Sequence, residues 1–260
     1  MLLGVFSSKE YLSFRFLLAG GTATSSALGT SADGSVVVGQ SLSAPGTQSF
    51  RWTQVGGMVA LGDLPGGPTL LLSSAQGSSD DGNVLAGAGQ SASSGGAFRW
   101  TQATGMVDLG ALPGESWSGA TAISADGGVI VGRSGSEAFR WTEGGGMQGL
   151  GDLLGGSNFS YSYVVSGDGQ VVAGLANSGL GTEAFRWVEG GAMVGLGDLP
   201  GGSYSSAAYA ASQDGSIIVG RGNYTGSDSD AFIGDNTRGM RDLKQVLIDL
   251  GLDLTGWDLQ

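Results

Sequence analysis

The sequence predicts an all-β protein, a β-propeller of five four-stranded repeats of about 45 residues each, with one short C-terminal helix. Three observations support this prediction. The phrase Ala-Phe-Arg-Trp-Thr recurs along the chain, an Asp-Gly pair precedes an apolar run ending in Gly in every repeat, and Gly supplies 52 of 260 residues. Regularly placed Gly in a chain that is 40% apolar indicates many tight turns in a folded protein rather than disorder.

The first half of each repeat is predicted to be a β-hairpin. In the third repeat, residues 124–127 (Ser-Ala-Asp-Gly) lead into residues 129–132 (Val-Ile-Val-Gly), and the other repeats carry close variants. An Asp-Gly pair between apolar runs is a strong hairpin signal, because a tight primed turn needs positive φ at its centre. We therefore expect such a turn in every repeat. The Asp residues at these turns are Asp33, Asp81, Asp126, Asp168 and Asp214.

The aromatic phrase is predicted to form the third strand. Alternation along a strand places Phe98 and Trp100 on one face and Arg99 on the other. These aromatic side chains could stack on sugars, but their presence in every repeat favours a role as core between repeats. The residues of the phrase are Phe50, Arg51, Trp52, Phe98, Arg99, Trp100, Phe139, Arg140, Trp141, Phe185, Arg186 and Trp187.

The regular Arg of this phrase needs a partner wherever it is buried. We expect a structural ladder in which each Arg pairs with a carboxylate of the repeat. That carboxylate is either the Asp of the Asp-Gly turn or the Asp that precedes the Leu-Pro-Gly segment, as at Asp63, Asp152 and Asp198. The alternative is that the Arg side chains face solvent and their aliphatic stems cover apolar surface.

A fourth short strand and a Gly-rich turn complete each repeat. Residues 57–62 follow the first aromatic phrase and lead into residues 63–67, Asp-Leu-Pro-Gly-Gly, which suit a turn outside a paired strand. Radial stacking of such blades covers both faces of each sheet. The alternative is an open β-repeat array or a fragment of a larger propeller. We predict a single repeat domain over residues 1–260, with repeats at about 22–64, 70–112, 117–153, 158–199 and 204–243.

The two ends of the chain depart from the repeat. Residues 14–21 resemble a degraded third strand, fourth strand and turn. Near the other end, Leu243, Val246, Leu247 and Leu250 fall on one face of a helix, and Asp242 is expected in its first turn, where a negative charge favours the helix dipole. Residues 244–260 are therefore expected to contain this helix and the start of a further, incomplete repeat.

Composition excludes several classes of function. The chain contains no Cys and no His, which rules out thiol nucleophiles, Ser-His-Asp triads and Cys/His zinc sites. A net charge of −12 disfavours nucleic acid as a partner. No apolar stretch is long enough to predict a transmembrane segment. Residues 80–83 and 228–230 are the best candidates for Ca²⁺, but they lack EF-hand spacing, so we expect no cofactor.

Set side by side, these phrases resemble the HAF repeat of bacterial extracellular proteins. The consensus of that family runs close to A-F-R-W-T, G-G-M, L-G-D-L-P-G-G and S-A-D-G-S-V-V-V-G, and the resemblance covers about residues 16–243. It implies export or display on a bacterial cell surface, although the apolar start at residues 1–6 is too short for a signal peptide. The resemblance implies no catalytic residue.

Function is expected where the repeat is broken. Several aromatic residues follow the Gly-rich turns instead of occupying consensus positions, and loops with such residues make adaptable contact surfaces. They are equally suited to fold back onto the core. We predict a non-enzymatic adhesion or binding module for a glycan or protein, monomeric or part of a longer chain. The alternatives are a carbohydrate-active enzyme using paired carboxylates and a structural spacer. The candidate residues are Trp117, Phe159, Tyr161, Tyr204 and Tyr224.

Overall fold

The computed structural model describes residues 18, 24–67, 71–91, 94–201, 203–223 and 229–257. Within these residues the chain forms five four-stranded antiparallel sheets and one short helix. The all-β fold class with four strands in each of five repeats is therefore confirmed. We refer to the sheets as blades 1 to 5. The predicted strand copy at residues 14–21 lies outside the described residues except for Leu18.

The strands of each blade follow one another in the chain. Blade 1 contains β1 to β4, at Ser25–Thr30, Val36–Ser43, Gly46–Thr53 and Gly57–Gly62, and β5 (Leu71–Leu72) pairs with β3 in parallel. Blade 2 contains β6 to β9, at Ser74–Ser78, Val84–Gln90, Gly95–Thr101 and Gly105–Asp108. Blade 3 contains β10 to β13, at Ser118–Ile123, Val129–Ser134, Glu137–Thr142 and Gly146–Gly149. Blade 4 contains β14 to β17, at Ser160–Val165, Val171–Asn177, Thr182–Val188 and Val194–Gly197. Blade 5 contains β18 to β21, at Ser206–Ala211, Ile217–Asn223, Ser229–Asp235 and Gly239–Asp242.

The first strand of each blade lies beside the first strand of the next, so the blades radiate from a common side. Successive strands run antiparallel, which places the Asp-Gly turns and the turns between the third and fourth strands at one end of the blades. The connections between blades and the turns between the second and third strands lie at the opposite end. We call these the Asp-Gly end and the connection end.

The core consists of four apolar layers, one between each pair of neighbouring blades. Phe98 of blade 2 is fully buried and packs in one cluster with Val36 and Val38 of blade 1. In blade 3, Ile130 joins the layer shared with blade 2, whereas Val131 joins the layer shared with blade 4. Each run of β-branched residues thus serves two layers, because alternate side chains of a strand point to opposite faces.

A buried Ser ties each blade to the one before it at the connection end. Ser118 accepts a hydrogen bond from the Ala97 amide at 2.9 Å and donates to the Gly110 carbonyl at 2.5 Å. The same pair of bonds is made by Ser73, Ser160 and Ser206. These residues satisfy backbone groups that would otherwise be buried without partners, which would cost about 1–3 kcal/mol each.

The Asp-Gly turn is longer than the two-residue primed turn that we predicted. In blade 3 the Ser124 amide bonds the Val129 carbonyl at 2.9 Å, and the Gly127 amide bonds the Ser124 carbonyl at 2.9 Å, so Asp126 and Gly127 belong to a four-residue loop. Gly127 has φ of 72° and follows the tight turn, instead of standing at its centre. The longer loop is stable because the Ser124 hydroxyl accepts the Val129 amide at 2.9 Å.

These turns also join neighbouring blades through their backbones. The Asp80 amide donates to the Ala125 carbonyl at 2.8 Å, and the Ala125 amide donates to the Gly167 carbonyl at 3.0 Å. The Gly of each turn packs on the first Val of the preceding blade: a Cβ on Gly127 would lie 2.7 Å from Cβ of Val84. In blade 1, a Cβ on Gly34 would have no described heavy atom within 4 Å.

Helix α1 spans Leu243–Asp249 and packs on the outer strands of blade 5. Asp242 is its N-cap, and its carboxylate accepts the Gln245 amide at 3.1 Å. Gly251 follows the helix with φ of 87°, and its amide bonds the Ile248 carbonyl at 2.8 Å. Asp242 therefore precedes the helix and does not lie in its first turn, and the predicted helix itself is confirmed.

We predict that Gly127→Ala destabilises the protein more than Gly146→Ala does. Both residues lie in blade 3 with similar positive φ, 72° and 67°, so both substitutions carry a left-handed backbone cost of about 1–2 kcal/mol. Only at position 127 does the new methyl group overlap a neighbour, Val84, which adds about 1–3 kcal/mol. Urea unfolding of the two variants measures the difference. Equal free energies of unfolding would show that the contact between turn and Val is loose.

Candidate functional site

The Asp residues of the consensus stabilise their own turns. Asp126 Oδ1 accepts the Ser124 hydroxyl at 2.6 Å and the Gly128 amide at 2.8 Å. The equivalent carboxylates each accept a Ser hydroxyl two residues before and an amide two residues after. These are Asp33, Asp81, Asp168 and Asp214.

The prediction that each Arg pairs with an Asp carboxylate is wrong for Arg51 and Arg140. Arg51 Nε donates to the Gly82 carbonyl, and an Arg140 Nη donates to the Gly169 carbonyl, each at 3.3 Å and each in the turn of the next blade. Arg140 also pairs with Glu189 at 3.2 Å. The Asp carboxylate is already occupied by its own turn, and this leaves the backbone carbonyl of the turn to face the Arg of the preceding blade.

The Asp residues before the Leu-Pro-Gly segments do not supply the ladder either. Asp63 accepts the amides of Leu64, Gln90 and Leu72, and Asp198 accepts the corresponding amides between blades 4 and 5. Asp152 is different, because its buried Oδ1 has no hydrogen-bond partner among the described residues. Asp63 and Asp198 therefore hold the connections between their blades.

The aromatic residues of the consensus are placed between blades. Phe98, Phe139 and Phe185 are fully buried, and Phe50 is 3% exposed. Trp100 and Trp187 are also buried, whereas Trp52 and Trp141 are half-buried. Buried rings have no free face for a sugar, and Trp52 and Trp141 share their repeat position with the buried Trp100 and Trp187. The stronger candidates for a site are therefore the aromatic residues outside the consensus.

Three of the five candidate aromatic residues surround one guanidinium group. Arg133 Cζ lies 4.8 Å from the ring centroid of Trp117, 5.4 Å from that of Phe159 and 5.1 Å from that of Tyr161. Trp117 belongs to the same blade as Arg133, and the other two rings belong to blade 4. We call these four residues the Arg133 cluster. A cation over aromatic faces at these distances is attracted by about 0.5–2 kcal/mol per favourable contact.

The cluster continues along the first strands of blades 4 and 5. The Tyr161 and Tyr163 rings meet edge to face with centroids 4.6 Å apart, and the Tyr163 and Tyr209 rings are 5.3 Å apart. Arg221 Cζ then lies 5.8 Å from the Tyr209 ring. Tyr163 and Tyr209 sit where the register of their strands shifts, and such a bulge re-aims a side chain. The result is a row of aromatic rings with an Arg at each end.

The repeat itself fixes the position of the cluster. Trp117 and Phe159 each directly precede a Ser that ties two blades together, Ser118 and Ser160. Arg133 stands opposite Gly119 in the β10–β11 ladder, which leaves no side chain opposite the guanidinium. The other blades carry Thr24, Leu72 and Ser205 at the position of Trp117. The cluster therefore uses ordinary repeat geometry with unusual side chains.

Two features make the cluster available to a ligand. Trp117 is 36% exposed and Tyr209 is 44% exposed, although the other rings and Arg133 are half-buried. Arg133 joins neither of the two ion pairs found among the described residues. Burial is the main cause that raises the pKa of Tyr163, and the nearby Tyr209 and Tyr161 raise it further. The Tyr163 phenol therefore stays neutral at physiological pH.

The two remaining aromatic candidates are not part of the cluster. Tyr204 is hydrogen-bonded to Glu183, and burial together with this carboxylate raises its pKa to about 12. Tyr224 lies outside the described residues. Arg133 and Arg221 were missed from the sequence, although a signal was present: the same position of the repeat is Gln40 in blade 1, and Ala or Leu in blades 2 and 4.

The described residues contain no group of three or more Asp or Glu placed to hold a metal ion. At the calcium candidate 80–83, Asp81 accepts the Ser79 hydroxyl and both the amide and the side chain of Asn83. Residue 228 of the second candidate is not described. No helix in the described part of the chain is long and apolar enough to span a membrane.

We predict that the cost of Asp126→Asn depends on pH. Hydrogen bonds from the Ser124 hydroxyl and the Gly128 amide hold the Asp126 pKa below 3.8, so the charged carboxylate stabilises the folded chain above that pH. This contribution is lost as the pH falls through the folded pKa, where the wild-type carboxyl becomes neutral like the amide. Melting temperatures of both proteins should differ most near neutral pH and converge in acid. A constant difference would contradict this role.

No family model and no curated protein matches the chain. Its fold is similar to TolB from Acinetobacter baumannii (14% identity, TM-score 0.53, 84% of this chain and 53% of that one). It is also similar to a TolB homologue from Agrobacterium tumefaciens, with 16% identity, a TM-score of 0.54, and coverage of 85% of this chain and 80% of that one. A third similar structure is an oligogalacturonate lyase in complex with manganese, with 14% identity, a TM-score of 0.54, and coverage of 82% of this chain and 63% of that one. The chain thus spans about half of the Acinetobacter TolB. At these identities the likeness shows the fold alone, and that fold is a β-propeller.

Proposed function

We propose that the protein is a non-enzymatic binding module that holds a glycan at the connection end of its propeller. The observation that carries the proposal is the Arg133 cluster, where an exposed Trp117 lies beside a guanidinium that has no carboxylate partner among the described residues. The cluster lies next to the connections between blades, and loops on a rigid scaffold commonly carry binding function.

The chemistry of the cluster suits a sugar. An aromatic ring offers an apolar face on which the C–H face of a sugar ring can pack, and Trp117 is partly exposed to solvent. Arg133 offers several N–H donors for hydroxyl or carboxylate oxygens next to that face. Sites for small ligands are usually lined by aromatic and apolar side chains with a small number of polar groups among them.

Departure from the repeat is the second support. The consensus Phe and Trp rings are used for packing, whereas Trp117, Phe159 and Tyr161 occupy positions where other blades carry small or aliphatic residues. If these aromatic residues served folding alone, we would expect similar residues at the same positions in every blade. These rings instead gather at one place, between blades 3 and 4, which suits a single binding site.

Location and biological role follow from the same proposal. We place the protein outside the cell or on the cell surface of a bacterium, supported by its resemblance to the HAF repeat, and we propose adhesion through bound glycans. No reaction is assigned to the cluster. The net charge of −12 disfavours nucleic acid as the ligand.

We predict that Trp117→Ala weakens glycan binding at least tenfold, while the variant stays folded at the temperature of the binding assay. Trp117 is 36% exposed, so its removal takes away a binding face together with buried apolar surface, and the melting temperature falls below that of wild type. A glycan array, followed by titration of the best ligand with hydrolysis monitored, provides the measurement. Trp257→Ala is the matched control, because Trp257 is 65% exposed in the segment after α1.

Unchanged binding by Trp117→Ala would exclude the cluster as the site. Release of cleaved sugar by the wild-type protein would favour the alternative of a carbohydrate-active enzyme. The absence of any bound glycan on the array would contradict the proposed function as a whole.

A further inference from the structure

We infer that the ligand of the Arg133 cluster is an acidic saccharide, whose carboxylate binds the Arg133 guanidinium while its ring packs on Trp117. This inference rests on the proposed function and names the class of glycan. It is carried by the charge state of the cluster, which holds a cation and aromatic rings but no neutralising carboxylate within ion-pair distance among the described residues.

The surroundings of Arg133 differ from those of the two ion-paired Arg residues. Arg140 forms an ion pair with Glu189, and Arg241 forms one with Asp235. Arg133 is surrounded instead by three rings. Ring faces attract the positive charge but cannot accept the in-plane N–H groups as a carboxylate does, so those donors remain for a planar, bidentate acceptor.

The nearby carboxylate does not fill this role. Glu115 lies over the turn after β11, where a Cβ on Gly135 would overlap its carboxyl group. Glu115 is nevertheless not within ion-pair distance of Arg133. Glu137 uses Oε1 to accept the Gly151 amide at 2.8 Å. No carboxylate of the described residues is therefore paired with the Arg133 guanidinium, which can pair with the carboxylate of a ligand.

The length of the aromatic row favours an oligosaccharide over a single sugar. From Arg133 the row passes through Tyr161, Tyr163 and Tyr209 to Arg221, with every step between neighbours shorter than 6 Å. Arg221 is exposed and lies over Tyr209 at the far end. A chain of sugar rings carrying more than one carboxylate could contact rings along the row and both cations at its ends.

The net charge of the whole protein sets a limit on this ligand. A charge of −12 repels a long polyanion, but ionic strength of about 0.1 M screens charges beyond about 10 Å. Within that distance Arg133 and Arg221 contribute the local positive potential. We therefore expect short acidic oligosaccharides to bind, with affinity that decreases as salt concentration rises.

The test compares acidic trisaccharides with the same sugars after their charge is removed. Trimers of galacturonate, glucuronate, mannuronate and guluronate, and the methyl ester of each, are titrated calorimetrically into the wild-type protein. We expect at least one acid to bind tenfold or more tightly than its ester. Arg133→Gln should reduce that preference to less than threefold, Trp117→Ala should weaken acid and ester alike, and Arg238→Gln, which removes an exposed cation at the Asp-Gly end, should change neither.

Folding of the variants is checked by thermal melting, and Arg133→Lys is a second variant that retains the charge without the planar fork. It should keep part of the preference for the acid. Equal affinity of the wild-type protein for acid and ester would overturn the inference and leave the proposed function intact, as would a preference that survives Arg133→Gln. Binding of neutral array glycans only would have the same meaning. If no glycan binds, acidic or neutral, the proposed function fails as well.

Discussion

In every blade, a buried Phe stands directly opposite a Gly in the ladder between the second and third strands. The pairs are Gly39 with Phe50, Gly87 with Phe98, Gly132 with Phe139, Gly174 with Phe185 and Gly220 with Phe232. A Cβ on any of these Gly residues would come within 2.0 Å of a carbonyl oxygen of the first strand. Gly allows the first strand to approach closely and leaves room for the ring beside it. The Phe fills that room and, in blades 2 to 5, also joins the layer with the preceding blade, so strand spacing and blade packing both depend on this pair.

This constraint explains why so little of the consensus is available for chemistry. The Val runs and the aromatic phrase are buried between blades, and the Asp and Ser side chains satisfy turn and strand amides. Residues that are both regular and buried are needed for packing. Positions outside this packing lie directly before the first strand and near the end of the second. Trp117, Phe159 and Arg133 occupy those positions.

The residue pattern was sufficient to predict the strands, because periodicity alone identifies a buried face and the Asp-Gly pairs mark hairpins. It was not sufficient for the type of turn, since the Ser124 hydroxyl stabilises a longer loop through a bond that spacing does not reveal. The Arg–Asp ladder failed for a related reason. Both groups recur with the same period, but period carries no information about which of two acceptors, a carboxylate or a carbonyl, faces the guanidinium.

The Arg133 cluster could also be predicted only in part from the sequence. Trp117, Phe159 and Tyr161 could be selected as departures from the repeat, but the cation between them comes from a different strand and is visible only when neighbouring blades are packed together. The three rings also explain how an Arg can remain there without a carboxylate. Cation–π attraction offsets part of the cost of removing the guanidinium from water, so the cluster is stable without a carboxylate. A bound carboxylate would then add charge-assisted hydrogen bonds to a side chain whose orientation is already fixed, and little further ordering would oppose binding.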